Sequence, residues 1–323
     1  YFHFSCETPD DGEPYRAEQL YYKRTERSAG DCIQLYIEVD NDIYVDKGGL
    51  APTQNYIAAL CNQVIALYQA ENIGITISEI LIWTSPSVYI DGTMAQTLEK
   101  FKSTRSVFNG DLGILLSYQF GGGLAQLDGL CRSEQKYSLA YAGIYPSFEN
   151  VPTYSWSVEV MAHELGHLLG SRHTHACVWN GNNTALDGCY TPEGGCENIT
   201  ELPTNGGTVM SYCHLTEAGI NFAEGFGTQP GNVMRYSVDQ ASCTQSCQNN
   251  MCALNDVTLT IKTDNLPMET TWEVRDSNEM VIYKGGPYVI GNHLYSKSFC
   301  LPDGCYSLVI FDSSNPNPGG TFI

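Results

Sequence analysis

The stretch HELGHLLGSRH, from His163 to His173, constrains this chain more than any other. In an α-helix four residues advance the direction by about 40° beyond one turn, so His163 and His167 project from one face, one turn apart. Apolar residues recur at helical spacing around them (Val158, Val160, Met161, Leu165, Leu168, Leu169), which predicts a buried helix over 154–169. His173 lies six positions past His167 and would point away on a continuing helix. It joins the other two only if the helix stops and the chain turns. Gly170 stands between them, and glycine takes the left-handed conformation that ends helices without steric cost. Three imidazoles gathered in this way can hold one zinc ion, at about 2.0–2.1 Å from each nitrogen, and leave one position open. Water at such a position has a pKa of about 7, against about 15.7 in bulk. Glu164 flanks the first imidazole and can take that water's proton as general base. The expected chemistry is metal-assisted hydrolysis of an amide, with Zn2+ as cofactor.

Composition narrows the setting. Acidic residues outnumber basic ones 36 to 16, for a formal charge of -20. Phosphate contacts need Lys and Arg, so nucleic acid is excluded as a partner. No run of about 18 apolar residues is present, so no membrane-spanning helix is expected. The opening YFHFSCETPDDGEPY lacks the basic start and apolar core of a signal peptide, and a chain already processed at its start is expected. Thirteen cysteines, none paired at Cys-x-x-Cys spacing, point to disulfides in a secreted, extracellular protein. Their odd number leaves at least one thiol over.

Three segments are expected. Residues 1–28 form a polar N-terminal segment, either a plain extension or the remnant of a propeptide. Residues 29–249 form a catalytic domain with strands at Cys32–Val45, 75–84 and 111–120 alternating with helices at Asn55–Asn72 and 93–108, the pattern of a mostly parallel twisted sheet in an α/β (α+β) fold. Gly121, Gly122 and Gly123 loosen the chain before a short edge strand, LAQLDGLC, and a last helix falls near Gly231–Ala241. Residues 254–323 carry short alternating strands and form a small all-β, sandwich-like module, and the loop-like end DSSNPNPGGTFI suggests that the chain continues.

The pattern His163-Glu164-x-x-His167-x-x-Gly170-x-x-His173, followed by GTVMSYC with Met210, resembles the signature of metzincin zinc metalloproteases. The resemblance implies a zinc endopeptidase acting on proteins or peptides, with Met210 as an apolar floor under the zinc histidines. GGLAQLDGLC resembles the edge strand of the adamalysin (reprolysin) group. It implies substrate bound extended along residues 123–130, on Gly123, Leu124, Ala125 and Gln126, and a Cys131–Cys243 disulfide. Thr174 stands where adamalysins have aspartate. Tyr212 makes a Met-x-Tyr turn similar to that of astacins and serralysins, which implies a catalytic tyrosine. The module at 254–323 resembles those appended to secreted bacterial proteases, implying a bacterial source. A monomer is expected.

Other residues are read from position. Cys6 lies ahead of the first strand. The resemblance implies one role for it, a latency ligand on zinc, and a disulfide to Cys32 or Cys61 is the other. Cys300 and Cys305 flank LPDG and are expected to pair, while Cys177, Cys189, Cys196 and Cys213 tie the loop below the site in an open connectivity. His175 and His214 are out of pattern and are surface or supporting residues. Asp40, Asp42 and Asp111 are solvated or help hold Ca2+. Asn182 and Asn198 sit in N-x-T sequons. Two other functions are compatible with the same residues: a latent zymogen with Cys6 on the zinc, and a non-catalytic zinc-containing adhesion protein, against which Glu164 argues because a structural site needs no base.

Overall fold

Alternation along the first long strand sets up the sheet. β1 (Cys32–Val39) turns Ile33, Leu35, Ile37 and Val39 to one face and Tyr36 and Glu38 to the other. The computed structural model describes residues 6–9, 12–23, 32–89, 92–244, 255–276, 279–301 and 305–312; Cys247, Cys252 and the segment DSSNPNPGGTFI lie wholly or largely outside them. The helices are α1 (Ala17–Leu20), α2 (Asn41–Lys47), α3 (Leu50–Ala70), α4 (Met94–Thr104), α5 (Trp156–Leu168) and α6 (Thr228–Gln240), and the strands that follow β1 are β2 (Gly74–Ile82), β3 (Leu112–Ser117), β4 (Gly122–Ala125) and β5 (Leu139–Gly143). β2 and β3 flank β1 in parallel, β5 joins β3 in parallel, and β4 closes that edge antiparallel to β5.

Helices cover both faces. Ile57, Leu60, Val64 and Tyr68 of α3 and Val158, Met161 and Leu165 of α5 bury one side of the sheet. Leu98 and Phe101 of α4 bury the other, against Tyr36, Leu115 and Tyr141. On that side Glu38, fully buried, accepts from Tyr36 Oη, Trp83 Nε1, Tyr89 Oη and the Arg105 guanidinium. A buried carboxylate is tolerated because each oxygen is bonded.

Three boundaries differ from the sequence expectation. The strand expected to run to Val45 stops at Val39, because Asp40 accepts from the amide of Asn41 (2.7 Å) and caps α2, which Gly48 ends at φ +78°. Gly122 and Gly123 do not loosen the chain but lie within β4. β5, LAYAG, is an unexpected strand with few of the β-branched residues that mark one.

The C-terminal residues are not a free-standing sandwich. They form β6 (Asn255–Lys262), β7 (Thr271–Arg275), β8 (Val281–Gly285), β9 (Leu294–Leu301) and β10 (Ser307–Phe311). A three-stranded antiparallel sheet has the order β10-β7-β8, but β9 pairs antiparallel with β2 and β6 with β9, giving one seven-stranded sheet ordered β4-β5-β3-β1-β2-β9-β6. The open edge of β2 is satisfied in this way. The two layers enclose Ile261, Trp272, Val274 and Leu301. Cys305 is a free, exposed thiol, which does not agree with the expected Cys300–Cys305 bridge; the Cys300 side chain lies outside what the structure describes. Cys300 is the penultimate residue of β9 in the seven-stranded sheet, whereas Cys305 leads into the three-stranded one.

Cys131 and Cys243 are bonded across 112 residues and tie the chain after β4 to the chain after α6. Long closed loops restrict the unfolded chain most. Replacing both with serine is expected to lower unfolding free energy by about 2–5 kcal/mol in denaturant titrations; an unchanged midpoint would show that the link contributes nothing.

Candidate metal centre

The helix that carries the first two histidines is buried along its length from Ser157 to Leu168. It ends as the glycine requires. Gly170 has φ +88°, and the amide of Ser171 reaches back to the carbonyl of Gly166 (3.0 Å). The reversal lets the Ser171 carbonyl accept from His167 Nδ1 (2.7 Å) and returns His173 to the helix face. His167 Nε2 lies 3.1 Å from both His163 Nε2 and His173 Nε2.

Hydrogen bonds assign the tautomers. Val209 and Ser171 offer only carbonyl oxygens, so His163 Nδ1 (2.7 Å) and His167 Nδ1 must be the donors. His173 Nδ1 faces the Glu193 carboxylate at 3.1 and 3.0 Å. Burial, with the neighbouring imidazoles adding to it, pushes His163 and His167 well below the usual histidine range. Neutral rings that donate through Nδ1 present bare Nε2 lone pairs to one another. Such lone pairs repel unless a cation lies among them. A tetrahedral zinc ion bonded at about 2.0–2.1 Å would set its nitrogens roughly 3.3–3.4 Å apart, close to the observed separations. The donor set therefore fits zinc.

Below the imidazoles lies Met210, fully buried. A Cβ at Gly166 would stand 2.6 Å from Met210 Sδ, so a glycine between the two helical histidines admits the sulfur. Thr174, the departure from the adamalysin pattern, is buried and donates its amide to the Met210 carbonyl (3.0 Å). Glu164 is fully buried on the other side. Its Oε1 has no hydrogen-bond partner among the described residues, and a Cβ at Gly123 would come within 2.1 Å of it. Burial pushes the carboxyl up to about 8, with hydrogen bonds from Cys6 and Thr8 opposing the rise.

The edge strand is already occupied. Cys6 to Thr8 run beside β4 in parallel, with the Glu7 amide on the Gly123 carbonyl (2.9 Å) and the Ala125 amide on Thr8 Oγ1 (2.8 Å). Thr8 Oγ1 also lies 3.3 Å from Glu164 Oε2. Cys6 Sγ is 3.3 Å from His167 Nε2 and forms a four-donor cluster with the three histidines. Tyr212 Oη donates to the Cys6 carbonyl (2.6 Å). Burial and the Glu164 carboxylate push the Cys6 thiol well up, so a cation at the imidazoles is what would draw off its proton. The disulfide alternative is not realised: Cys6 is unbonded, and Cys61 lies in the α3 core.

The remaining expected residues are placed as follows. Gly123, Leu124 and Ala125 lie in β4, and Gln126 just beyond it. His175 is fully buried, stacked on His173 at 4.9 Å and 6°. His214 Nδ1 sits 3.1 Å from Glu159 Oε1 beside the site, so neither outlying histidine is a surface residue. Asp111 accepts from the Gln34 amide near the start of β1, whereas Asp40 and Asp42 share the Ser117 hydroxyl beyond its end. The structure does not bring these three carboxylates together. Disulfides Cys177–Cys196 and Cys189–Cys213 hold the loop after His173. Sequence reasoning missed Glu193 and Thr8; each acts by tertiary position and belongs to no periodic pattern.

Known proteins resemble this chain over part of its length. Residues 30–221, more than half of the chain, match the Reprolysin_5 family model, described as metallo-peptidase family M12. A zinc metalloproteinase-disintegrin-like protein, BfMP from Bungarus fasciatus, is 27% identical over 197 aligned positions, with 55% of this chain and 31% of that relative covered. The chain thus spans under a third of that protein's length. Among solved structures, metalloproteinase-II from Bacteroides fragilis is 18% identical with a TM-score of 0.32, covering 50% of this chain and 51% of that one. A catalytically inactive OgpA from Akkermansia muciniphila, solved in complex with an O-glycopeptide, is 12% identical at a TM-score of 0.32, covering 91% of this chain and 87% of that one.

Gly123 tests the packing at the site. Gly123→Ala forces its new methyl onto the Glu164 carboxylate, and overpacking of this kind is expected to cost about 1–3 kcal/mol in a denaturant titration. An unchanged stability would show that Glu164 does not lie against that strand.

Proposed function

The chain belongs to metallo-peptidase family M12, and from that premise we propose that it is a secreted zinc endopeptidase whose ion is held by His163, His167 and His173. The observation that carries this reading is the convergence of three Nε2 atoms whose Nδ1 partners are all acceptors. Three disulfides among the described residues support an oxidising, extracellular setting. The division proposed is an N-terminal segment 1–28, a catalytic domain 29–249 and a β-module 254–323, the last joined to the catalytic sheet through β9.

Zinc, when bound, supplies the Lewis acidity that activates water and polarises a carbonyl. The chain's own residues do the rest. Backbone amides and carbonyls of Gly123 to Gln126 pair with an extended peptide and set its scissile bond beside the imidazoles. Glu164, pressed against Gly123, accepts the attacking water's proton on its carboxylate and passes it to the leaving amine. Tyr212 Oη is near enough to the site to donate to a developing oxyanion once the Cys6 carbonyl leaves it. Met210 and Thr174 hold the turn beneath. A small cavity lined by Trp156, Glu159, Val160 and His214 lies beside His163 and Glu164.

A second reading has its own observation. Cys6 to Thr8 occupy β4, bring sulfur to the imidazoles, engage Glu164 through Thr8, and engage Tyr212 through a carbonyl. This chain is then the latent form, with Cys6 as the ligand that fills the open position.

Two measurements test these readings on a peptide library. Glu164→Ala is expected to keep its zinc and lose turnover by a factor on the order of 10²–10⁴; undiminished turnover would remove Glu164 as the base. Cys6→Ala is expected to raise turnover by at least roughly tenfold, the effect of removing an intramolecular ligand worth about 1.4 kcal/mol. A chelator should abolish the activity of both. No gain from Cys6→Ala would discard latency while leaving the peptidase reading intact.

A further inference from the structure

His173 differs from the other two proposed ligands. His163 and His167 are fixed by a buried helix and donate to main-chain carbonyls. His173 lies past the end of that helix, and its Nδ1 faces a side chain instead, the carboxylate of Glu193, at 3.1 and 3.0 Å. Glu193 is itself held firmly. Its amide donates to the His175 carbonyl (3.0 Å), and its carbonyl accepts from the Cys177 amide (2.7 Å). Three residues on, Cys196 is bonded to Cys177. Gly194, at φ +102°, packs where a Cβ would lie 3.0 Å from Cys177 Cβ. His175 stacks on His173 and brings its Nε2 to 3.3 Å from Glu193 Oε1.

We infer that Glu193 is a positioning residue for the metal: it locks the tautomer and ring orientation of His173, raises the basicity of that imidazole, and is delivered there by the Cys177–Cys196 loop. This rests on the zinc reading of the preceding subsection. The chemistry is general. An imidazole that donates one N–H to a carboxylate binds a cation more strongly through its other nitrogen, and loss of such a partner weakens metal affinity by about 10–100-fold. Among the described residues only His173 of the three proposed ligands has a charged partner, and it is the one without a helix to hold it. His175, buried against both Glu193 and His173, adds a wall that prevents the His173 ring from turning.

The test is zinc affinity in the full chain, measured by competition with a chromophoric chelator after zinc is stripped and restored. Glu193→Ala is expected to raise the zinc dissociation constant by about 10–100-fold. Glu193→Gln, which keeps an acceptor oxygen without the charge, should fall between that variant and the unaltered protein. The visible spectrum of the cobalt-substituted variants should shift, which a purely structural role would not produce. Thermal melts of the metal-free proteins identify variants that fold, and the isosteric glutamine serves if alanine does not. Folded Glu193 variants that bind zinc within about twofold of the unaltered chain would overturn this inference, against the expected loss. An unaltered chain that binds no zinc would instead overturn the peptidase reading, and this inference with it.

Discussion

Three imidazole nitrogens, two of them 3.1 Å from the third and each with its lone pair turned inward, are the constraint on which this structure depends. Nothing about a hydrophobic core calls for that arrangement. Neutral lone pairs at this range repel, and buried nitrogens without donors are costly. The fold accepts the cost by bonding every Nδ1 outward, to Val209, Ser171 and Glu193. Those three acceptors come from separate places: the methionine turn, the residue after the helix-ending glycine, and a disulfide-closed loop. In the proposed reading a divalent ion converts the repulsion into the bond that joins them.

The rest of the architecture serves this point. The sheet gives α5 a flat apolar surface, and that burial fixes the two helical histidines. Met210 enters beneath the helix because Gly166 leaves room. On the other side Gly123 lets Glu164 lie against the edge strand. Two glycines thus position a sulfur and a carboxylate on opposite sides of the same imidazoles. The segment Cys6 to Thr8 then fits the remaining space, which is why it touches the imidazoles, Glu164 and Tyr212 at once.

Local chemistry was legible in the sequence where one short stretch carried the whole geometry. The helix, its stop at Gly170 and the return of His173 follow from residue spacing alone. The α/β alternation was legible for the same reason, since each element has its own period. Most of what was missed depends on residues distant in the chain. β5 is short and poor in β-branched residues, and only its neighbours identify it. The alternation of Ile43 and Val45 suggested strand, but Asp40 and Gly48 bracket a helix there. The β-module's strands were visible, yet nothing local shows that β9 seeks the open edge of β2. Glu193 is an ordinary loop glutamate until the Cys177–Cys196 bond places it on His173.

The central claim is that His163, His167 and His173 share one ion. X-ray absorption at the zinc edge of the purified protein reads that coordination directly. The claim requires one zinc per chain with three nitrogen scatterers at about 2.0–2.1 Å, and the latent form adds one sulfur at about 2.3 Å. A spectrum with fewer than three imidazoles would contradict the claim, whereas three imidazoles without the sulfur would discard the latent form alone.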